Sequence, residues 1–402
     1  MVDAEASLEI QEDHPPDAVS AVRSVAIDIL PANADALERY ERACVEAIFA
    51  PAQSAIWVRN WISHTHPDAL IAFMSRGSDI IFALALEVAK SGSFRVARLV
   101  GGSHANGNFA PSVLPLSVSP SRQDIERLVQ SIRAARPDID MLLLQRLAPD
   151  LDGNPNPLLA LPHAPSPNIA LATDLRGGFD ATLERIAARR KRKRHRYQAR
   201  KFEAAGGFRR IVAATEAETR RLFDAFLEMK ELRFRKAGMA NVFADPELHV
   251  FFHALFAESL KSAPPPFSLE ALEVAGTLRA ITGTSRCGKR MICEFGAISD
   301  DELASMSPGE FLSFRNIEEA AAQEFDLYDF SVGDEPYKRL WCNIEIRQVD
   351  VIMSLSVKGH ALATVLRLYG RLKTWAKANP TIWRLAKKLR KRAAGHPAPA
   401  ND

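Results

Sequence analysis

Two stretches of this chain read in the same order: a strand, helices, three strands in close succession, a helix and a strand. In the first, Val22–Leu30 reads as a strand and Ala34–Ile48 as a helix. Ile56–His64 is a short helix with Trp57 and Trp61 four apart on one face. Leu70–Met74, Ile80–Val88 and Arg95–Leu99 then form strands separated by Arg76-Gly77 and Ser91-Gly92 turns, before a helix at Arg122–Ala135 and a strand at Met141–Arg146. The second stretch opens with a strand at Ile169–Thr173 and a long helix, Phe179–Ala205. A strand at Arg209–Ala213 and helices at Glu216–Arg233 and Pro246–Lys261 follow. Strands Ser268–Val274, Thr277–Ser285 and Lys289–Ala297, a helix at Glu310–Glu324 and strands at Leu327–Phe330 and Asn343–Ser356 complete it. Strands joined by tight turns pair antiparallel, so the expected class is α/β and duplicated, with mixed, mostly antiparallel sheets flanked by helices.

The expected divisions are 1–20 disordered, 21–147 the first unit, 148–168 a connector, 169–357 the second unit and 358–402 a helical tail. The connector holds six prolines and no periodicity, so it reads as extended chain rather than a packed element. With 402 residues, 47% apolar and 25% charged, the chain is long enough for two proper cores. It has no apolar run long enough to span a bilayer. Its acidic start lacks the features of a signal peptide. Cys44, Cys287, Cys293 and Cys342 form no pair of close pairs, which argues against a disulfide scaffold or a metal site. A cytoplasmic protein, peripheral on the inner face of the cell membrane, is the expectation.

Charge is concentrated at the end. Between Asp350 and Asp402 there is no acid, while eleven Lys and Arg residues run from Lys358 to Arg392. The rest of the sequence therefore carries about −8 (3 minus 11). Leu362, Val365, Leu366, Tyr369, Leu372 and Trp375 recur at helical spacing, and Ile382, Trp383, Leu385, Ala386 and Leu389 continue the pattern after Asn379-Pro380. Such a segment suits an anionic membrane surface, packing on its own domain with a wet basic face, or nucleic acid.

Several segments carry a resemblance. They are Ile169–Leu171, Arg190–Arg196, Met229–Arg233, Glu294-Phe295-Gly296, Ser307–Leu312 and above all Tyr328–Trp341, YDFSVGDEPYKRLW. Across 169–345 these resemble the GNAT-superfamily acyltransferases of the cellulose-biosynthesis acetyltransferase (CelD/BcsL-like) group, relatives of the FemAB-type enzymes with two GNAT-like domains. The first unit resembles their degenerate N-terminal half more loosely. The resemblance implies transfer of an acyl group from a thioester, with acyl-CoA as co-substrate and no permanently bound cofactor. The acceptor would be an amine or hydroxyl.

Specific residues are candidates for that chemistry. Glu294 sits mid-strand among apolar neighbours, so it should either pair with Lys289 or Arg290 or acquire a raised pKa suited to a general base. Asp329 and Lys338 can meet across the Gly333 turn as an ion pair, and the resemblance puts both at the site. His253, in the apolar stretch Leu248–Leu255, is a deputy base or a core histidine. Ser307 and Gly309 open a helix whose N–H groups can hold a pyrophosphate, with Arg315 in reach, although Glu310 opposes an anion there. Phe295 joins them as a donor contact through its matching segment. Lys230 and Arg233 are expected to contact acceptor or phosphate, and Tyr337 and Trp341 to line an acyl channel or fill the core.

Arg190–Arg196 reads as a solvated surface that surrounds its helix, or as an anionic-acceptor contact. The Gly101–Asn108 loop, with His104, reads as a wall of an interdomain cleft. Three functions follow: an acyl-CoA-dependent transferase acting on an envelope lipid, such as a long-chain base, or on a polysaccharide precursor; an aminoacyl-tRNA-dependent transferase; or a non-catalytic binding protein.

Overall fold

A computed structural model describes residues 25–114 and 119–379. The expected disordered start and the apolar-basic segment after Asn379 lie outside the described residues. The first unit comprises β1 (Ala26–Pro31), α1 (Ala34–Val45), β2 (Ala47–Ile48), α2 (Ala55–Thr65), β3 (Ala69–Arg76), β4 (Asp79–Ser91), β5 (Phe94–Leu99), β6 (Ser112–Val113), α3 (Arg122–Ala135) and β7 (Met141–Leu147). A small hairpin, β8 (Asp150–Leu151) and β9 (Asn154–Pro155), leads to β10 (His163–Asp174). The second unit continues with α4 (Gly178–Ile186), α5 (Ala188–Ala204), β11 (Phe208–Val212), α6 (Glu216–Ala237), α7 (Pro246–Ser259), β12 (Phe267–Val274), β13 (Thr277–Cys287), β14 (Arg290–Ile298), α8 (Pro308–Ala322), β15 (Leu327–Val332), α9 (Pro336–Arg339), β16 (Ile344–Ser354) and α10 (Val357–Ala378).

The duplication expected from the element order is present in the hydrogen bonding. β1 pairs antiparallel with β3, β3 with β4 and β4 with β5, while β5 runs parallel to β7. β11, β12, β13 and β14 repeat the antiparallel series, and β14 runs parallel to β15. Two helices lie between β1 and β3 and two between β11 and β12, and in each unit one helix makes the crossover a parallel pair requires. The two sheets are continuous: the order is β1-β3-β4-β5-β7-β16-β10-β15-β14-β13-β12-β11. The last strand, β16, lies between β7 of the first unit and β10 of the second, antiparallel to both.

One apolar cluster joins the units. Trp57 and Trp61 on α2, with Ile71 and Phe73 on β3, share it with Phe223 and Phe226 on α6, Phe251 and Phe252 on α7, and Leu269 and Ile281 on the second sheet. The indoles stack with centroids 6.3 Å apart, and each meets the edge of Phe251 at 5.0 Å. The opposite face of the first sheet is covered by α3 through Ile125, Leu128 and Ile132, while Leu183, Phe314 and Trp341 belong to a separate cluster in the second unit.

Three expectations are corrected. Residues 148–168 are not a bare connector: Leu151, Leu158 and Leu161 are buried, and β10 already begins at His163. Its prolines are accommodated because the register with β16 is irregular between Pro165 and Ile169. The long helix 179–205 is broken at Ala187, whose φ is 112°, so α4 and α5 follow separate axes over α8. Nor is the cationic run wholly solvated: it surrounds α5 as expected, but Lys191 is buried with Gln198 and Phe202, while Arg190 and Arg194 are exposed and Arg189, Lys193, Arg196 and Arg200 form a further exposed row. At about 100° per residue these four occupy an arc of roughly 60°.

The tail helix is anchored at its start. The Ser356 hydroxyl accepts the Gly359 N–H at 3.1 Å and donates to the buried Asp140 carboxylate at 2.7 Å. Asp140 also accepts the Arg95 N–H and pairs with Lys358 at 3.0 Å. A Cβ on Gly359 would collide with the Asp140 carbonyl oxygen, whereas one on Gly370 would meet nothing within 4 Å. Gly359→Ala should therefore lower stability by about 1–3 kcal/mol, and Gly370→Ala should raise it by about 0.5–1 kcal/mol; denaturant titration of the two variants checks the pair.

Candidate functional site

The site arises where a sheet stops pairing. β14 and β15 are hydrogen-bonded in parallel register only at Arg290↔Leu327, Met291↔Tyr328 and Ile292↔Asp329, after which they part. On its other edge β14 pairs Phe295 with Gly283 but Cys293 with Thr284, so Glu294 is the extra residue of a β-bulge. Gly283 is required there, because any side chain on it would run into the Phe295 ring. An isolated Gly within a strand pattern is the sequence signal that could have located this bulge.

The end of β15 is held away from β14 by three buried groups. Ser331 adopts φ 59°, the left-handed region that L-residues avoid. Asp329 Oδ1 accepts the Ser331 N–H at 2.7 Å. The Lys338 ammonium donates to the carbonyls of Ser331 and Val332 at 3.3 and 2.9 Å and pairs with Glu335 at 3.0 Å. The expected Asp329–Lys338 ion pair is thus replaced, since each group satisfies backbone atoms of the bend.

Beside this opening lies a cavity of about 970 Å³. Its wall includes Glu294, Phe295, Lys338, Ser307, Gly309, Lys230, Arg233, Tyr337 and Trp341 among the candidates read from sequence. Trp57, Ser103, His104 and Asn106 close it from the first unit, as expected for the Gly101–Asn108 loop. Asp329, His253 and Arg315 are not in the wall. His253 Nε2 pairs with Asp224 at 3.0 Å, and Arg315 with Glu318 at 2.6 Å on the surface of α8. His253 is therefore neither in the cavity wall nor a fully buried core histidine, and Arg315 forms a surface ion pair.

Among the described residues, Glu294 has no cationic partner. Arg290 turns to Asp150 and Asp152, at 3.7 and 3.5 Å, and Lys289 to the Glu324 carbonyl at 3.5 Å. Burial pushes the Glu294 carboxyl up to about 7, and the charge of Asp329 adds to this; the Ser285 hydroxyl, donating to Oε1 at 2.6 Å, opposes it. Asp329 is likewise raised by burial, against the pull of the Ser331 N–H and the nearby Arg290 and Lys338. His104 packs among Trp61, Phe243 and Phe252, and burial depresses its pKa to about 4, which leaves it neutral near pH 7.

The charges in the wall are unevenly partnered. Glu310, in the first turn of α8, receives Lys191 at 3.2 Å and Arg194 at 2.6 Å, and Arg194 also donates to the Ser307 hydroxyl at 3.0 Å. Lys191 is buried, with its ammonium 3.7 Å from the Trp341 ring centroid. Sequence reading missed this α5–α8 cluster because the partners are more than a hundred residues apart. Gly309 serves close packing at this point: a Cβ there would lie 2.8 Å from Ile298 Cγ2. Lys236 pairs with Asp300. Among the described residues, Lys230 and Arg233 have no acidic partner. Lys230 lies 5.6 and 5.8 Å from the ring centroids of Phe226 and Phe234, and burial depresses its pKa to about 8, Arg233 adding to the effect. No group of residues suited to a metal ion occurs among the described residues.

The arrangement offers chemistry of a definite kind: an ionisable carboxyl near neutrality, an opened strand edge with backbone groups, and cations without counter-ions. No curated protein matches the sequence. Among solved structures, FemX is similar over 84% of this chain and 99% of its own, at 10% identity and a TM-score of 0.57. L-PGS from Bacillus licheniformis is similar over 85% and 96%, at 11% identity and a TM-score of 0.48. A tandem GNAT protein from the clavulanic acid biosynthesis pathway covers 82% and 99%, at 12% identity and a TM-score of 0.44. Residues 189–339, which hold β14, β15 and the bulged Glu294, match the family described as an acetyltransferase (GNAT) domain, so this part of the chain is similar to that family.

Proposed function

We propose that the protein is an acyl-CoA-dependent N- or O-acyltransferase acting on an amine or hydroxyl of a cell-envelope acceptor, a membrane lipid such as a long-chain base or a polysaccharide precursor, at the inner face of the cell membrane. The narrower kinship with the CelD/BcsL-like group belongs to the same reading. The observation that carries it is a carboxyl with a pKa of about 7 on a β-bulge, beside two parallel strands that part into a cavity. The N–H and C=O groups that β14 no longer shares with β15 can pair with the amides of a pantetheine arm. Glu294 takes the proton of the acceptor amine or hydroxyl as its lone pair attacks the thioester carbonyl. The tetrahedral intermediate then collapses with cleavage of the carbon–sulfur bond, and the thiolate leaves to be protonated as coenzyme A.

Other residues assist this reaction in the proposal. Phe295 and the Ser307–Gly309 turn flank the donor, while Tyr337 and Trp341 border the acyl group. Lys230 and Arg233, which have no acidic partner among the described residues, meet an anionic part of donor or acceptor. Asp329 and Lys338 act as positioning residues, because they fix the backbone of the bend, Asp329 from outside the cavity wall and Lys338 from within it. A second reading, transfer from an aminoacyl-tRNA, is favoured by the exposed row Arg189, Lys193, Arg196 and Arg200 on α5, whose members have no acidic partner among the described residues. Calorimetric titration with coenzyme A, acetyl-CoA and a long-chain acyl-CoA separates the two. Binding supports the first reading and identifies its donor; no binding, with turnover from charged tRNA, supports the second.

Glu294→Gln should reduce kcat by about 10²–10⁴-fold with donor binding and melting temperature retained. For the unaltered protein, kcat/KM should rise with pH through about 7 and level off above it, since the carboxylate is the active form. A pH profile that is flat between pH 5 and 8, about the window around such a pKa, would remove Glu294 as the base.

Asp329→Ala should weaken donor binding by freeing the Ser331 amide. Adding Ser331→Gly should recover about fivefold in affinity, because glycine adopts the left-handed bend without the roughly 1 kcal/mol that serine loses. Equal affinities in the single and double variants would exclude this positioning role.

A further inference from the structure

The tail helix α10 has two apolar stripes, and only one of them is covered by protein. Ala363 is fully buried, and Leu362 and Leu366 pack beside it on Val96, Met141 and Ile352. On another side of the same helix, Val365, Leu368, Tyr369, Leu372 and Trp375 are 55–61% exposed. At about 100° per residue these five fall within an arc of roughly 120° and extend for about 15 Å along the axis. The expectations of packing on the domain and of contact with a surface are therefore compatible, because each uses a different stripe.

We infer that the exposed stripe of α10 lies in the interface of an anionic lipid bilayer, with Tyr369 and Trp375 at headgroup depth and Arg371 among the lipid phosphates. The helix lies flat on the surface, since no described helix is long and apolar enough to cross a membrane. Charge selects this occupant. Arg371 is exposed and has no acidic partner among the described residues, and no acid occurs in the sequence between Asp350 and Asp402. A second copy packed about a two-fold axis would bring the same cations face to face. A nucleic acid would leave the aliphatic members, Val365, Leu368 and Leu372, in water. Residues 380–402, folded back, would set Arg384, Lys387, Lys388, Arg390, Lys391 and Arg392 against α10's own cations. A bilayer with anionic headgroups accepts both the apolar stripe and the charge.

The inference extends the proposed location and is independent of the transfer chemistry, so failure of one leaves the other standing. The full chain is tested by co-sedimentation with vesicles of phosphatidylcholine, with and without phosphatidylglycerol. The protein should prefer the anionic vesicles, and added salt should weaken binding without abolishing it. Leu368→Glu, Leu372→Glu and Trp375→Glu combined should reduce binding by about tenfold or more while leaving the melting temperature unchanged, because the altered side chains are exposed. Absence of vesicle binding overturns the inference, as does binding that the triple variant retains. Self-association of the unaltered protein that the triple variant abolishes would also overturn it, by assigning the stripe to a second copy.

Discussion

The packing of α2 against α7 is the contact on which the site depends. Trp57 meets Phe251 and Phe252 edge to face, Trp61 meets Phe251 likewise, and through them the aromatic cluster runs on to Phe226, Phe243 and Phe295. Edge-to-face contacts are directional as well as apolar, each adding about 0.5–1.5 kcal/mol beyond area burial. They therefore set how the two units meet, not only that they meet. Phe295 belongs to this cluster and directly follows Glu294, so the packing between units also fixes where the carboxyl stands. The same contacts bring His104 and Asn106 to the far side of the cavity.

The electrostatics of the cavity follow from which charges are answered inside the protein. At the head of α8, two cations of α5 surround Glu310, which leaves the helix N-terminus with a carboxylate of its own. This differs from the bare N–H cradle that the Ser307-Pro308-Gly309 turn suggests in sequence. On the α6 wall the balance is reversed, with Lys230 and Arg233 lacking an acidic partner among the described residues. Glu294 stays free of cations because Arg290 is drawn to the β8–β9 hairpin, in the segment that reads from sequence as an unpacked connector.

Much of the architecture was legible because it is local. The turn glycines, the apolar runs Leu70–Met74 and Ile80–Val88 and the periodicity of α3 mark elements through short-range rules, and repetition of their order revealed the duplication. Glu294 was legible as a carboxylate in an apolar strand. What sequence could not show depends on partners distant in the chain. The Asp329–Lys338 pairing failed because backbone groups of the bend compete for both side chains, and backbone conformation at Ser331 leaves no trace in residue type. His253 and Arg315 turned outward to Asp224 and Glu318, which hydropathy alone does not resolve. The break at Ala187 was hidden because alanine is a good helix former, and its positive φ is imposed by the two surfaces that α4 and α5 must cover.

The placement of β16 has a consequence for the order of synthesis. β7 presents buried-type residues, Met141, Leu142 and Leu144, on a strand whose outer neighbour is β16. Roughly 200 residues separate Leu147 from Ile344, so at about 5–20 residues per second that edge waits for about 10–40 s during translation. An uncovered strand edge of this kind is a template for mispairing. The first unit is thus completed only by the last strand of the second, and the tail helix that follows β16 can take its place beside β7 only when the sheet is whole.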